Sequence, residues 1–335
     1  MATIPEAFLK PAEIIGWGMQ VPSRIRTNKD FLPFTPYKRV ADIFRRSGIR
    51  ERRVVDSEEW CADLATEAAA QALDRAGVSP QAVGHIICAN TFPDNLAYPT
   101  ASIVQKNLGA RSAAVFDLRA ACTGFLKGLE VATCLIESGS YDNILIIGVE
   151  TPSRLYGEAP HIAMLFGDGA GAVLVSRSET RRPWVFSMGD DGDLSELMTM
   201  PFFERRVVFQ GPRVFKEAVQ TMVKCTAEVL VKARVSLKDI KLFVPHQANS
   251  RIIQAMAAHL NLTDRLGRLK RRVFTNIEKY GNTSAASIPI ALTEAAECGR
   301  LQKGSLIALA AFGAGMTSGA AILEWERHRW WAAVA

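Results

Sequence analysis

Short, almost wholly apolar runs alternate along this chain with longer segments in which apolar residues recur every third or fourth position. The runs at Ala113–Val115, Asn143–Gly148, Ala172–Val175, Leu242–Val244 and Ser305–Ala310 have the length and character of strands covered on both faces. Between Thr123 and Glu137, by contrast, Phe125, Leu126, Leu129, Ala132, Leu135 and Ile136 fall at helical spacing, and Gly139 is placed to end that helix. Helices alternating with buried strands predict a layered α/β architecture. No apolar run reaches membrane-spanning length, and Met1–Glu6 lacks the basic start and apolar stretch of a signal peptide, so a cytoplasmic chain without a membrane partner is expected.

The pattern repeats faintly. Arg75–Cys88 and Lys232–Pro245 each run from the end of an alanine-rich amphipathic helix, through a Val-Ser turn, into an apolar strand. Asn143–Gly148 and Ser305–Ala310 are both buried-type strands that lead into glycine-containing turns. Two fused copies of one α/β half leave such a trace. The first half is expected to span 1–177 and the second 178–335, with the join between Arg177 and Pro183.

Composition narrows the function. A chain of 335 residues with 48% apolar and 22% charged residues has ample core for one large or two ordinary domains. Its six cysteines are scattered without a CxxC pair, which argues against a structural metal or a disulfide framework and for a reducing compartment. The net charge is +6, and cations gather at Lys38, Arg39, Arg45, Arg46, Arg50, Arg52 and Arg53 and again between Arg265 and Arg272. Aromatic residues are not interleaved with them as a base-stacking platform requires, so anionic partners other than nucleic acid are expected.

Candidate chemistry centres on Cys122, in Phe116-Asp117-Leu118-Arg119-Ala120-Ala121-Cys122-Thr123-Gly124-Phe125, where a strand passes into a helix. Unpaired N–H groups and the positive end of the helix dipole favour thiolate there. Ala121 and Gly124 leave room for a substrate. Two further segments offer polar partners. His246 follows the strand that ends at Pro245, and Asn282 follows Gly281, which permits a sharp turn. A glycine-rich segment, Ala311–Gly319, closes the set. Gly167-Asp168-Gly169-Ala170-Gly171 lacks the spacing of a nucleotide loop and precedes a strand, so it is expected to be a turn under close packing.

In this order and spacing the chain resembles the β-ketoacyl-ACP synthase III family of the thiolase superfamily, from about Ile14 to Leu323. The resemblance is carried by Gly48–Arg52, Ala120–Phe125, Phe166–Ala172, Val244–Asn249 with Arg251–Ile253, Gly281–Ser287 and Phe312–Gly315. It implies an α/β thiolase-like fold, two duplicated halves in five layers (αβαβα), usually a homodimer. It also implies decarboxylative condensation of an acyl-CoA starter with malonyl-ACP through an acyl-enzyme. The family's catalytic triad falls on Cys122, His246 and Asn282, and its oxyanion hole on the N–H groups of Cys122 and Gly315. Arg46, Gly211, Ala248 and Asn249 fall along its CoA/pantetheine channel, and Phe312 near the thiol. Lys216 and Arg251 fall where the family docks its carrier protein. Tyr98 replaces a phenylalanine that reaches across the dimer and limits the depth of the acyl pocket. The thioesters are substrates, and neither a cofactor nor a metal is implied. A family tryptophan that stacks on the CoA adenine is missing from Tyr37–Phe44, and an arginine before the Gly-Asp-Gly segment is replaced by Ala159-Pro160-His161. The CoA nucleotide is therefore expected to be held by other groups, or the acyl donor to be another carrier. Two other functions stay open. One is a pathway-specific ketosynthase or acyltransferase, for a biotin precursor or a specialised metabolite, using a short polar or dicarboxylic donor. The other is a non-catalytic subunit that binds an acyl carrier.

Overall fold

The apolar runs assemble into two sheets. The computed structural model describes residues 11–156, 160–178, 184–201 and 207–325. Sheet one contains β1 (Ala12–Gln20), β2 (His85–Ala89), β3 (Ala114–Leu118), β4 (Asn143–Glu150) and β5 (Gly169–Arg177), in the order β1-β5-β4-β2-β3. Sheet two contains β6 (Val185–Asp190), β7 (Leu242–Pro245), β8 (Ser305–Gly313) and β9 (Thr317–Trp325), in the order β6-β9-β8-β7. In each sheet the first two pairings are antiparallel and the third parallel. β3 adds one more parallel strand to sheet one. Sheet two shows at that place a single parallel bridge from Phe243 to Val273. The segments that match in the sequence occupy equivalent places, β2 with β7 and β4 with β8. Pro183 lies outside the described residues.

Both faces of each sheet are covered except along edge strand β3, where Ala114 is exposed and Val115–Leu118 are half-buried, against expectation, and the side chains sort by strand periodicity. In β4, Ile144 and Ile146 face a central core, whereas Leu145, Ile147 and Val149 face an outer one. In β8, Ile307, Leu309 and Ala311 face the central core, and Ala308, Ala310 and Phe312 the opposite outer one. The helices fill the three remaining layers. Beyond α1 (Val40–Ser47), α2 (Cys61–Ala76) and α3 (Thr100–Leu108) cover the outside of sheet one. α4 (Gly124–Glu137) and α7 (Ser287–Glu297) fill the centre, and α5 (Gly211–Lys232) and α6 (Ser250–His259) cover sheet two. This is the five-layered thiolase-like arrangement. Trp17 of β1 and Trp325 of β9 meet across the central layer with ring centroids 5.1 Å apart.

Predicted boundaries shift for local reasons. β3 runs past Val115 to Leu118, because Asp117 closes it with bonds from the backbone N–H groups of Thr100 and Ala101 and from Asn90 Nδ2. α4 begins at Gly124 and ends at Glu137, followed by Gly139 at φ +75°, whose left-handed backbone reverses the chain. The Gly167–Gly171 segment is packed as closely as expected, since a Cβ on Gly167 would lie 2.1 Å from the Tyr280 carbonyl oxygen. One expectation fails. Arg52, grouped above with the basic cluster, is fully buried. Its guanidinium donates to Asn28 Oδ1 and to the carbonyls of Arg26 and Met164, and burial lowers its pKa to about 10.

A second close seam between the halves is at Gly148. A Cβ there would lie 2.3 Å from the carbonyl oxygen of Ala285 in the loop leading into α7. Gly148→Ala is expected to destabilise the protein by about 1–3 kcal/mol through overpacking against rigid backbone. Urea denaturation checks this, and an unchanged midpoint would mean that the seam yields freely.

Candidate active site

The nucleophile turn is built from both halves. Cys122 lies in a 3₁₀ turn, Ala121–Thr123, between β3 and α4. Thr123 Oγ1 sits 2.7 Å from the Ala120 carbonyl and 2.9 Å from Thr317 Oγ1 of β9. Gly313 ends β8 directly behind the turn, where a Cβ would lie 2.8 Å from the Cys122 nitrogen. Of the five described non-glycine residues in left-handed backbone, three stand here: Ala121 (φ 47°), Ser284 (φ 50°) and Met316 (φ 48°). All three flank the same centre, and such strain persists where surrounding structure enforces it.

The setting of this turn disfavours the expected thiolate. Burial is the largest influence on Cys122 and pushes its thiol up to about 12, and the charge acting on it, that of Glu150, has the same sign as a thiolate. The regular helix starts two residues beyond the sulfur, so its dipole acts weakly while desolvation acts directly. Cys122 Sγ lies 3.4 Å from Ser284 Oγ.

His246 enters from the end of β7, anchored by its N–H on the Ala310 carbonyl at 2.8 Å. Its Nδ1 lies 2.6 Å from Ser287 Oγ, which also accepts the N–H of Gln247 at 3.3 Å. We assign the Ser287 hydroxyl as the donor to Nδ1, which leaves the ring proton on Nε2. That Nε2 is buried without a protein partner. Burial lowers the pKa of His246 to about 3, so the ring is neutral. Asn282 is fixed in the same way. Its backbone bridges Leu165 and Gly167, and its Oδ1 accepts the Ser284 N–H at 2.8 Å, which leaves Nδ2 as a donor.

Cys122, His246 and Asn282 line one cavity of about 700 Å³ together with Arg46, Gly211, Ala248, Asn249, Arg251 and Phe312. Phe312 packs edge-on against the His246 ring, with centroids 5.7 Å apart. Gly315, at φ +75°, lines a second cavity of about 460 Å³ that shares Cys122. At the mouth, Arg251 joins Tyr37, Lys38, Arg39, Arg45 and Arg46 around Asp42, with the Arg46 guanidinium 5.3 Å from the Tyr37 ring centre. Lys216 is exposed on α5. Tyr98 is not brought to the Cys122 cavity within its own chain; it is 48% exposed on the loop before α3. Ala159 lies outside the described residues. Among the described residues no cluster of three or more His, Cys, Asp or Glu side chains is placed to hold a metal ion, and no helix is long and apolar enough to cross a membrane.

Three site residues carry no role in the sequence reading. Ser284 and Ser287 sit inside the Gly281–Ser287 motif, where small residues suggest only packing. Glu150 is fully buried at the end of β4, and its signal was there: an acid closing an otherwise apolar strand. Its Oε1 accepts from Thr91 Oγ1 at 2.6 Å and from Ser284 Oγ at 3.0 Å, and its Oε2 from the Thr91 N–H at 3.1 Å. Burial raises its pKa to about 7.

Known proteins share this fold. Two family profiles match the chain: 3-oxoacyl-[acyl-carrier-protein] synthase III over residues 116–192 and the C-terminal part of the same synthase over 230–325. A β-ketoacyl-[acyl-carrier-protein] synthase III 2 of Vibrio vulnificus is 44% identical over 333 residues, covering 95% of this chain and 89% of its own. The crystal structure of 3-oxoacyl-[acyl-carrier-protein] synthase III from Aquifex aeolicus superposes with a TM-score of 0.86 at 40% identity, covering 94% of this chain and all of its own. The priming β-ketosynthase of the R1128 polyketide pathway superposes with a TM-score of 0.88 at 29% identity, covering 97% and 99%.

The His246 tautomer is open to direct measurement. Nitrogen-15 NMR of the wild-type imidazole is expected to show the proton on Nε2. In Ser287→Ala, Nδ1 loses its donor, the tautomers mix, and stability falls by about 1–3 kcal/mol. A wild-type spectrum with the proton on Nδ1 would reverse the assignment.

Proposed function

This chain belongs to the 3-oxoacyl-[acyl-carrier-protein] synthase III family and is a condensing acyltransferase, and from that premise we propose what its cavity does and with which partners. Cys122 attacks the thioester carbonyl of an acyl-CoA, CoA leaves, and an acyl-enzyme remains. Malonyl-ACP then loses carbon dioxide, and the resulting carbanion attacks the acyl-enzyme to give β-ketoacyl-ACP. The observation that carries this function is the meeting of Cys122, His246 and Asn282 in one cavity, with both second-half side chains held as neutral donors. Decarboxylation places negative charge on the malonyl thioester oxygen. The His246 Nε2–H and Asn282 Nδ2–H stabilise that charge without surrendering a proton. In this assignment the half spanning 1–177 brings the nucleophile and the half spanning 178–335 brings the donors. The backbone N–H groups of Cys122 and Gly315 form the oxyanion hole for acyl transfer.

The other partners follow from the walls. Arg46, Gly211, Ala248 and Asn249 line the cavity on the approach to Phe312 and the thiol, as a pantetheine channel requires. Tyr37 beside Arg46, with Arg39 and Arg45 close by, offers a ring and cations for the nucleotide end of CoA in place of the missing tryptophan. Lys216 and Arg251, both exposed, suit an acidic carrier protein. The thioesters are substrates, and no separate cofactor takes part. The six free cysteines suit a reducing cytoplasm. β3 leaves an open edge on sheet one, and Leu96 and Tyr98 are exposed nearby at 77% and 48%. These features support a homodimer in which Tyr98 closes the partner's acyl pocket. The phenol also favours a second assignment, a dedicated pathway with a short polar or dicarboxylic donor.

Cys122→Ser is expected to abolish acyl-enzyme formation while the fold is kept, as read by intact mass after incubation with acyl-CoA. Asn282→Ala is expected to slow carbon dioxide release from malonyl-ACP by about 10²–10³ and to spare acylation in larger part. Normal condensation by either variant would refute its role. Tyr98→Ala is expected to admit longer acyl chains, because the space vacated by the ring accommodates added methylenes. An unchanged acyl-CoA profile would take Tyr98 out of the pocket.

A further inference from the structure

The acyl-transfer step needs a destination for the thiol proton, and the neutral His246 is poorly suited to receive it. Its Nε2 already carries a proton in the tautomer that Ser287 enforces, and a second proton would create a cation that burial opposes. The hydrogen bonds from the sulfur lead elsewhere. Cys122 Sγ lies 3.4 Å from Ser284 Oγ, and Ser284 Oγ donates to Glu150 Oε1 at 3.0 Å. With Glu150 ionised, the hydroxyl proton of Ser284 lies toward the carboxylate and the S–H of Cys122 donates to Ser284. Ser284 holds this place in left-handed backbone at φ 50°, a strained geometry for a serine.

We propose that Glu150 is the proton acceptor for Cys122, acting through the hydroxyl of Ser284. The inference rests on the acyl-enzyme function argued above. As the Cys122 sulfur bonds to the thioester carbonyl, its S–H bond breaks and the proton passes to Ser284 Oγ. The proton already on Ser284 passes to Glu150 Oε1. The tetrahedral intermediate then collapses, the bond from carbon to the CoA sulfur breaks, and CoA leaves as a thiolate that takes a proton from water. Glu150 stays neutral while Cys122 is acylated. When the acyl group moves to the malonyl-derived carbanion, Cys122 departs as thiolate and the stored proton returns by the same path. One solvent proton is consumed per turnover, which matches the release of carbon dioxide from a malonyl carboxylate.

The surroundings suit an acceptor that works near neutral pH. Glu150 receives three hydrogen bonds, from Thr91 Oγ1, the Thr91 N–H and Ser284 Oγ, which keep it ionisable, while burial raises its pKa to about 7. The titratable groups that feel its charge are Cys122, Cys61 of α2 and Tyr156, and burial raises the pKa of each, so none carries charge at neutral pH. No cation stands among the causes of the Glu150 shift.

Single-turnover acylation separates this role from a structural one. With wild-type enzyme, release of free CoA thiol is expected to fall as pH drops below about 7, because protonated Glu150 accepts no proton. In Glu150→Gln the maximal acylation rate is expected to fall about 10²–10⁴-fold. The pH step disappears, and the acyl-CoA concentration for half-maximal rate changes by less than about threefold. Carbon dioxide release from malonyl-ACP, measured beside it, falls at least tenfold less than acylation. Ser284→Gly breaks the path while the Glu150 carboxylate keeps both its bonds from Thr91, and it relieves the strained φ, so it decides the question even where Glu150→Gln fails to fold. Acylation within threefold of wild type with the pH step intact, in either folded variant, overturns the proposal. Equal loss of both half-reactions overturns it too. Failure of the wild-type enzyme to form any acyl-enzyme removes instead the function on which the proposal rests.

Discussion

The reaction centre depends on how closely one backbone can approach another at Gly148. β4 presents no side chain there, and the carbonyl of Ala285 settles against it. The same contact is made twice more along the seam. Gly171 leaves room for the backbone at Pro289 and Ile290, and Gly167 for the carbonyl of Tyr280. The whole stretch from Tyr280 to Ile290, carrying Asn282, Ser284 and Ser287, is thus pressed onto the sheet of the other half. Buried Arg52 supports the stretch from beneath, its Cβ packed against the positions of Gly167 and Gly281. A methyl group at any of these glycines moves the donors away from the sulfur.

Once the loop is in place, the chemistry relies on fixed dipoles rather than charges. Cys122 is a thiol, His246 a neutral ring and Asn282 an amide, each with its orientation set by one neighbour. Burial produces the first two states, because a dry site disfavours every charged form, and the amide is neutral by its nature. It also strengthens the donors that remain, since little solvent competes for a developing oxyanion. The backbone strain at Ala121, Ser284 and Met316 costs about 1–3 kcal/mol at each residue. It is sustained by the packed helices of the central layer, where α7 is almost wholly buried. Each fully buried leucine or isoleucine there contributes about 1.5–3 kcal/mol.

Much of this was legible in the sequence, and the failures have physical reasons. Strands buried on both faces announce themselves as unbroken apolar runs, so the sheets were readable from Asn143–Gly148 and Ser305–Ala310. Cys122, His246 and Asn282 stood out because each follows a strand or turn in a distinctive setting. Ser284 and Ser287 did not, because their importance lies in whom they touch. Arg52 read as one more cation, since charge in a sequence carries no mark of burial. The thiolate expectation failed on a balance of magnitudes that only coordinates reveal: the dipole of a helix starting at Gly124 against the desolvation of the sulfur itself. Tyr98 lines a neighbouring cavity with Phe92, Leu96 and Phe116 rather than that of Cys122, a placement the motif alone does not announce.

The raised pKa of the Cys122 thiol bears on the durability of the protein as well as its rate. Peroxide and similar oxidants attack thiolate, and the ladder from sulfenic to irreversible sulfonic acid begins there. A nucleophile stored as a desolvated thiol stays off that ladder until a thioester arrives to claim it. Cys134 and Cys298, by contrast, lie exposed on the surface. Those two thiols meet solvent directly, whereas that of Cys122 is reached only through the cavities it lines.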